Sequence, residues 1–350
     1  MSSRTDEAPS KRRRLDSELR VAGRLIANGE RPFVIAEAGS NFNQNLDTAY
    51  RLIDVAIEAK VDMVKFQLFR ADELYAPGTD MHAAFKAVEL NPDWVPKIAE
   101  HAKARGIAFA ASAFDRASVD VLEAVDVPAH KVASSEATNL PLLAHIAATG
   151  RPIFLSTGIC DMVDVHEAVI TCLGQGNSAV VLMQCGALYP LPPEQANLKV
   201  IDVYRQTFGC PAGFSDHTLG LAVATAAVAR GAAVIEKHFT LDRTAEGPDH
   251  FYALEPDELK RLVGDIREAH AAIGTSNKQI LPNEREFGRR EGLYAARDIA
   301  AGEVIDDEAL AVRRPAVGLR ARYQRVVTGG ARAARPIKAG EPITWGDVSW

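Results

Sequence analysis

Between Pro32 and Gly274, short apolar runs alternate with longer amphipathic ones, and this alternation constrains the fold more than any other property of the chain. The runs at 33–36, 63–67, 108–112, 130–133, 153–156, 180–184, 212–215 and 233–237 have the length and composition of buried strands. Between them the spacing is helical. Ala49, Leu52, Ile53, Ala56 and Ile57 share one face, with Asp47 or Thr48 placed to cap its start. Strand–helix–strand repeats build parallel sheets through right-handed crossovers. Eight such units within roughly 240 residues match a (β/α)8 TIM barrel in count and length. A doubly wound open sheet is the alternative, but it usually carries a glycine-rich nucleotide turn, and none follows residues 33–36.

A barrel makes a further claim, because reactive side chains should stand where the strands end. The expected ends carry Glu37, Lys65 and Gln67, Ser112, then Lys131, Ser134, Ser135 and Glu136. They continue with Ser156 and Thr157, Gln184 and Tyr189, Ser215 and His217, and Lys237 and His238. Ordinary turns would show mainly Gly, Asn, Asp and Pro. Lys65 and Lys131 supply positive charge and Ser134, Ser156 and Ser215 neutral donors, a mixture suited to a small phosphorylated anion. His217 and His238 close consecutive strands, so they can meet at one rim and hold a divalent metal acting as a Lewis acid. Glu37 and Glu136 are candidates for proton transfer or for stabilising positive charge. Salt bridging by the lysines, helix capping by the serines and non-ligating histidines are the structural alternatives.

A chain of 350 residues suits a domain of about 250 residues plus a smaller one. The net charge of −6 gives no reason to expect nucleic acid or an anionic membrane as partner. No apolar run reaches the ~18 residues of a membrane span. Cys160, Cys172, Cys185 and Cys210 lack metal-knuckle spacing, and free thiols in a reducing cytoplasm are expected. Residues 1–20 read as a disordered polar tail containing Lys11-Arg12-Arg13-Arg14, a solvated run in preference to a nuclear address.

Barrel periodicity occupies 21–274, and 275–290 reads as a charged linker. Beyond it, Ala295-Ala296-Arg297-Asp298-Ile299-Ala300-Ala301-Gly302-Glu303-Val304-Ile305 returns as Ala333-Ala334-Arg335-Pro336-Ile337-Lys338-Ala339-Gly340-Glu341-Pro342-Ile343. Short apolar stretches around a Gly-Glu turn predict a small β-rich module with two related halves over 291–350. The module is rich in arginine but lacks the interleaved aromatics of a nucleic-acid surface.

Taken together, these segments resemble the sialic acid synthase family. The similarity is carried by Ile35-Ala36-Glu37-Ala38-Gly39-Ser40-Asn41, Val64-Lys65-Phe66-Gln67, Lys131-Val132-Ala133-Ser134-Ser135-Glu136 and Leu155-Ser156-Thr157-Gly158. It continues through Tyr189-Pro190, Gly213-Phe214-Ser215-Asp216-His217-Thr218, Glu236-Lys237-His238-Phe239-Thr240, Gly247-Pro248-Asp249-His250 and Leu254-Glu255-Pro256. The resemblance implies condensation of phosphoenolpyruvate with an open-chain amino-sugar aldehyde, assisted by manganese or magnesium on His217 and His238. It implies a phosphoenolpyruvate pocket at Lys131, Ser134, Ser156 and Ser215, with Ser112 as a further substrate contact. Lys65 and Gln67 would lie between the substrates, Glu136 beside the reacting centre, and Glu37 near sugar and metal. Tyr189 would contact the sugar. The C-terminal module resembles the antifreeze-like (β-clip) module of that family, which caps the partner's barrel in a domain-swapped homodimer and brings Arg314 to the sugar.

Four places depart from the family pattern, one being the segment between Gln67 and Leu90, which is shorter than in many members. Ala111-Ser112-Ala113-Phe114 stands for Ser-Thr-Pro-Phe, Cys185-Gly186-Ala187 for a Cys-Thr pair with a following Asn or Ser, and Ala316-Val317-Gly318 for Gly-x-Gly. The change at Cys185-Gly186-Ala187 removes polar groups from what resembles the sugar loop, which bears on acceptor choice. Two other readings are a barrel lyase or aldolase using Lys65 or Lys131 as a Schiff-base amine, and a non-catalytic sugar-binding relative.

Overall fold

The computed structural model describes residues 14–286 and 289–350, which divide into two compact units at the Gly274–Thr275 boundary. Most of the basic tetrad, Lys11 to Arg13, falls outside the described residues.

The first unit opens with an antiparallel hairpin, β1 (Glu18–Val21) and β2 (Arg24–Ala27). Eight parallel strands follow: β3 (Phe33–Gly39), β4 (Met63–Leu68), β5 (Ala108–Ala113), β6 (His130–Val132), β7 (Ile153–Ser156), β8 (Val180–Cys185), β9 (Ala212–Asp216) and β10 (Val234–His238). They close in sequence order, β10 pairing with β3, and helices alternate with them as expected of a (β/α)8 barrel.

Two layers of core follow from the two-residue period of the strands. Outward residues such as Ala36, Val64, Phe66, Val132, Leu155, Phe214 and Ile235 pack against the helices. Inward residues Ile35, Met63, Ala110, Ala129, Phe154, Val181 and Val234 form a separate apolar floor. Leu19, Val21 and Ile26 of the hairpin join that floor and plug the barrel from below. Two residues further along each strand the inward positions become Glu37, Lys65, Ser112, Lys131, Ser156, Met183, Ser215 and Glu236. With the exception of Met183, the interior changes from apolar to polar at the C-terminal end.

The hairpin corrects the expectation of a tail through residue 20, since β1 begins at Glu18 and Leu15 is already buried. Its strands are only four residues long and meet at Ala22-Gly23, both at positive φ, a turn suited to a right-twisted hairpin. The first barrel helix, Leu46–Glu58, is capped by Asn45, whose side chain accepts from Thr48 N at 3.0 Å, and not by Asp47 or Thr48. Leu46 packs against the core and draws the start back, leaving Asp47 in the first turn, where a carboxylate suits the helix dipole. The alanine-rich helix before β10 runs Ala222–Ala229, shorter than its composition suggests because Leu219 and Gly220 form the loop that leaves β9.

The second unit has its own core around Leu293, Ile299, Ile305, Ile337 and Ile343. A short helix, Pro282–Glu286, lies within the segment expected as linker. Strands β11 (Gly292–Ala295) and β12 (Leu310–Arg313) pair antiparallel, as do β13 (Arg332–Ala333) and β14 (Val348–Ser349). The sequence echo is a structural repeat. Ile299 N donates to Ile337 O at 2.8 Å, and Ile337 N returns the bond to Ile299 O at 2.9 Å. Ala295 N donates to Glu341 O at 2.9 Å and Ala333 N to Glu303 O at 2.9 Å, the same bond made from each half. The halves are thus related by a local twofold through the paired isoleucines.

Candidate active site

The barrel's upper interior is a linked set of buried charges. Lys65 Nζ lies 2.6 Å from Glu37 Oε2 and donates to Ser112 Oγ at 3.0 Å, while Gln67 Nε2 donates to Glu37 Oε1 at 3.0 Å. From β10, Glu236 stands 3.8 Å from Lys65 and 3.7 Å from Lys131, and accepts from Ser215 Oγ at 2.9 Å. Since β6 and β10 face each other across the barrel, Glu236 ties its two sides together. Lys65 and Lys131 against Glu37 and Glu236 nearly balance in charge, which is what permits so many ionisable groups away from water.

Their protonation follows from this geometry. Burial opposes ionisation of Glu236, but Lys131, Lys65 and the Ser215 hydroxyl outweigh it and hold the carboxyl below its ordinary range. Burial pushes Glu37 above its range; Lys65 opposes this and the Glu236 charge adds to it. Burial lowers Lys131, with Glu236 resisting, whereas for Lys65 the attraction of Glu236 and Glu37 exceeds the burial cost and raises it. Glu136 stands on a 3-10 turn after β6, accepts from Ser135 Oγ at 2.6 Å, and is pushed by burial to about 7.

Above this layer His217 and His238 meet, with ring centroids 5.4 Å apart. His217 Nδ1 is 2.8 Å from the Gly186 carbonyl, which can only accept, so Nδ1 carries the proton and Nε2 keeps its lone pair. Burial holds both rings near 4, His217 further lowered by His238, so both are neutral at neutral pH. No Nε2 of the pair has a protein hydrogen-bond partner among the described residues. Two neutral imidazoles with free lone pairs are a donor set for a divalent ion. Among the described residues no group of three or more His, Cys, Asp or Glu is arranged to hold a metal ion.

The remaining expected residues fall as follows. Ser134 Oγ accepts from Gly158 N at 2.9 Å, bringing the ends of β6 and β7 together. Ser156 is buried, and its hydroxyl has no hydrogen-bond partner among the described residues. Half-exposed Tyr189 lays its ring 4.3 Å from that of His217, centroid to centroid. Arg314 belongs to the second unit, where its guanidinium lies 3.3 Å from Glu291. Reasoning from residue type passed over Glu236, Asp249 and Tyr252. Glu236 was legible, because a strand that turns His238 inward turns Glu236 inward too. Asp249 and Tyr252 reach the site on the long loop after β10, where strand periodicity gives no guide.

The NeuB family matches residues 52–278 of this chain, and the SAF domain matches residues 290–349. The chain is 37% identical to N,N'-diacetyllegionaminic acid synthase of Legionella pneumophila over 89% of its length and 93% of the relative's. It is 36% identical to N-acetylneuraminate-9-phosphate synthase of Mus musculus, covering 83% of this chain and 85% of that one. Among solved structures, N-acetylneuraminic acid (sialic acid) synthetase of Leptospira borgpetersenii superposes with a TM-score of 0.74 at 30% identity, covering 78% of this chain and 96% of that one.

Proposed function

The chain belongs to the NeuB family and ends in a SAF domain, and on that premise we propose that it condenses phosphoenolpyruvate with an open-chain amino-sugar aldehyde, giving a nonulosonate and phosphate. The observation that carries this reading is the pair of neutral imidazoles, His217 and His238, above a buried Lys65–Lys131–Glu236 layer. Relatives of similar identity are named for different sugar acids, so the acceptor is the open variable.

A divalent cation, manganese or magnesium, held by Nε2 of the two histidines would supply Lewis-acid polarisation of the aldehyde oxygen. Lys131, Ser134, Ser156 and Ser215 hold the phosphate and carboxylate of phosphoenolpyruvate, and the unpartnered Ser156 hydroxyl supports this part. Lys65, fixed by Glu37, Ser112 and Gln67, stands between the two substrates. The C3 carbon of phosphoenolpyruvate bonds to the aldehyde carbon as the carbonyl π bond opens, and Glu37, whose carboxyl burial holds near neutrality, gives the oxygen its proton. Positive character appears at C2, which Glu236 and Glu136 stabilise. Water adds at C2 and Glu136 takes one of its protons; the tetrahedral intermediate then expels phosphate, which carries off the remaining hydroxyl proton as the C2 ketone forms. A carboxyl poised near neutrality suits that exchange.

The assembly belongs to the same reading. The second unit caps the barrel of a second copy and presents Arg314 to the sugar in a domain-swapped homodimer. A cytoplasmic setting suits four cysteines that are all free thiols, and among the described residues no helix is long and apolar enough to cross a membrane. Phosphate release from phosphoenolpyruvate should be assayed against N-acetylmannosamine, its 6-phosphate, mannose, and legionaminate- and pseudaminate-type precursors, with and without manganese. Manganese-dependent release with one acceptor supports the reading; release from none overturns it. Borohydride trapping of a lysine adduct would instead favour Schiff-base chemistry at Lys131, whose ammonium form burial disfavours.

A further inference from the structure

Behind His238 lies a relay that the condensation itself does not use. His238 Nδ1 is 3.4 Å from the Tyr252 hydroxyl, which donates to Asp249 Oδ1 at 2.7 Å. Asp249 Oδ2 accepts from Ser40 Oγ at 3.1 Å and from Ser40 N at 3.3 Å. The Tyr252 ring is fully buried and packs edge-on to His238, centroids 5.1 Å apart. Gly39, at positive φ, lets the carboxylate approach, since a Cβ there would stand 2.5 Å from Asp249 Oδ2.

A phenol has one proton, and here it is committed to a carboxylate that can only accept while ionised. The face that Tyr252 turns to His238 is therefore a lone pair, and only an N–H can satisfy it. We propose that Tyr252 is a positioning residue: anchored by Asp249 and Ser40, it selects the Nδ1–H tautomer of His238 and so presents the Nε2 lone pair to the barrel mouth. The Gly186 carbonyl does the same for His217, at 2.8 Å. The two rings are fixed by unlike groups, one a main-chain carbonyl and one a side-chain relay, so only His238 can be unlocked by substitution. Outer partners of this kind orient metal-binding imidazoles and typically affect affinity ~10–100-fold. The consequence for metal binding rests on the proposed function; the tautomer assignment does not.

The test uses the full-length protein with 15N-labelled histidine, free of metal and at about pH 7, with His238→Gln identifying the signal. In the parent protein His238 should show protonated Nδ1 and unprotonated Nε2 in long-range proton–nitrogen correlations. Tyr252→Phe should give a mixture of tautomers while His217 stays unchanged, with an unaltered far-UV spectrum as the check on folding. Manganese affinity, read from the electron paramagnetic resonance of free ion, should then fall ~10-fold or more. A parent His238 protonated at Nε2, or a Tyr252→Phe protein that keeps the parent tautomer, overturns the relay. A changed tautomer with unchanged manganese affinity overturns its positioning role. If the parent binds no manganese and releases no phosphate with magnesium either, the functional reading falls, and the nitrogen spectra still decide the relay.

Discussion

Lys237 Nζ lies 2.7 Å from Asp216 Oδ2, joining β9 to β10 on the side of the sheet away from the barrel interior. Each partner immediately precedes a histidine of the site, His217 or His238. Lys237 also donates to Thr218 O, and Asp216 Oδ1 accepts from Thr218 N at 2.8 Å, so the clamp holds the loop leaving β9 as well. Buried ion pairs are poor sources of net stability. The physical return here is a fixed separation between the two imidazoles.

Lys237→Met should leave the Asp216 carboxylate buried without a counter-charge and cost roughly 3–5 kcal/mol in urea unfolding. Asp216→Asn with Lys237→Met should cost less than Lys237→Met alone, because no charge is left unpaired. A double variant at least as unstable as the single one would show that the ion pair is not the source of the loss.

Glu136 predicts a pH-dependent stability. Its folded pKa is raised from 4.5 to about 7, chiefly by burial, so the native state holds the extra proton between those values and stability falls as pH rises through the window. Above it the ionised carboxylate costs about 3 kcal/mol relative to conditions below pH 4.5. Glu136→Gln should therefore be the more stable protein at about pH 8, match the parent at about pH 4, and lose ~10²-fold or more in kcat. Thermal melts across that range read the first part, and phosphate release the second.

Ser156→Ala separates binding from folding. The hydroxyl is buried without a partner, so its loss should leave Tm unchanged or slightly raised. A hydrogen bond to a charged ligand group is worth ~1.5–3 kcal/mol, so KM for phosphoenolpyruvate should rise ~10–100-fold. A lower Tm with unchanged KM would make Ser156 structural.

His217→Ala and His238→Ala should each abolish metal-dependent turnover, by more than the ~10–100-fold expected for an outer partner. A chelator should bring the parent enzyme to the same level, with manganese restoring the parent alone. Full turnover in either variant would remove the histidines from the mechanism.

A chain ending at Arg290 should retain a cooperative barrel, because residues up to Gly274 form a compact unit with its own cores. Sugar KM should rise in that truncation, and in Arg314→Ala, by more than KM for phosphoenolpyruvate. Unchanged sugar KM in both would count against capping by the second unit.

The barrel was legible in the sequence from the count of eight apolar runs separated by amphipathic helices and from the lack of a glycine-rich turn after residues 33–36, which set it ahead of an open doubly wound sheet. The sequence by itself also determined the repeat in the second unit, because the echo of Ile299 in Ile337 is a direct copy. It gave the strand ends at which Glu37, Lys65, Lys131, Ser215 and His238 gather, as period-two alternation fixes which side chains turn inward. Tertiary structure alone decided which partners they take. Glu236 bridges Lys65 and Lys131 only because the sheet closes on itself. Asp249 and Tyr252 reach His238 from a loop whose path no local periodicity dictates. The hairpin that plugs the floor was likewise invisible locally, since strands of four residues become stable only against the barrel they seal. Local pattern sets the direction of each side chain; closure of the barrel sets the distances on which protonation and chemistry depend.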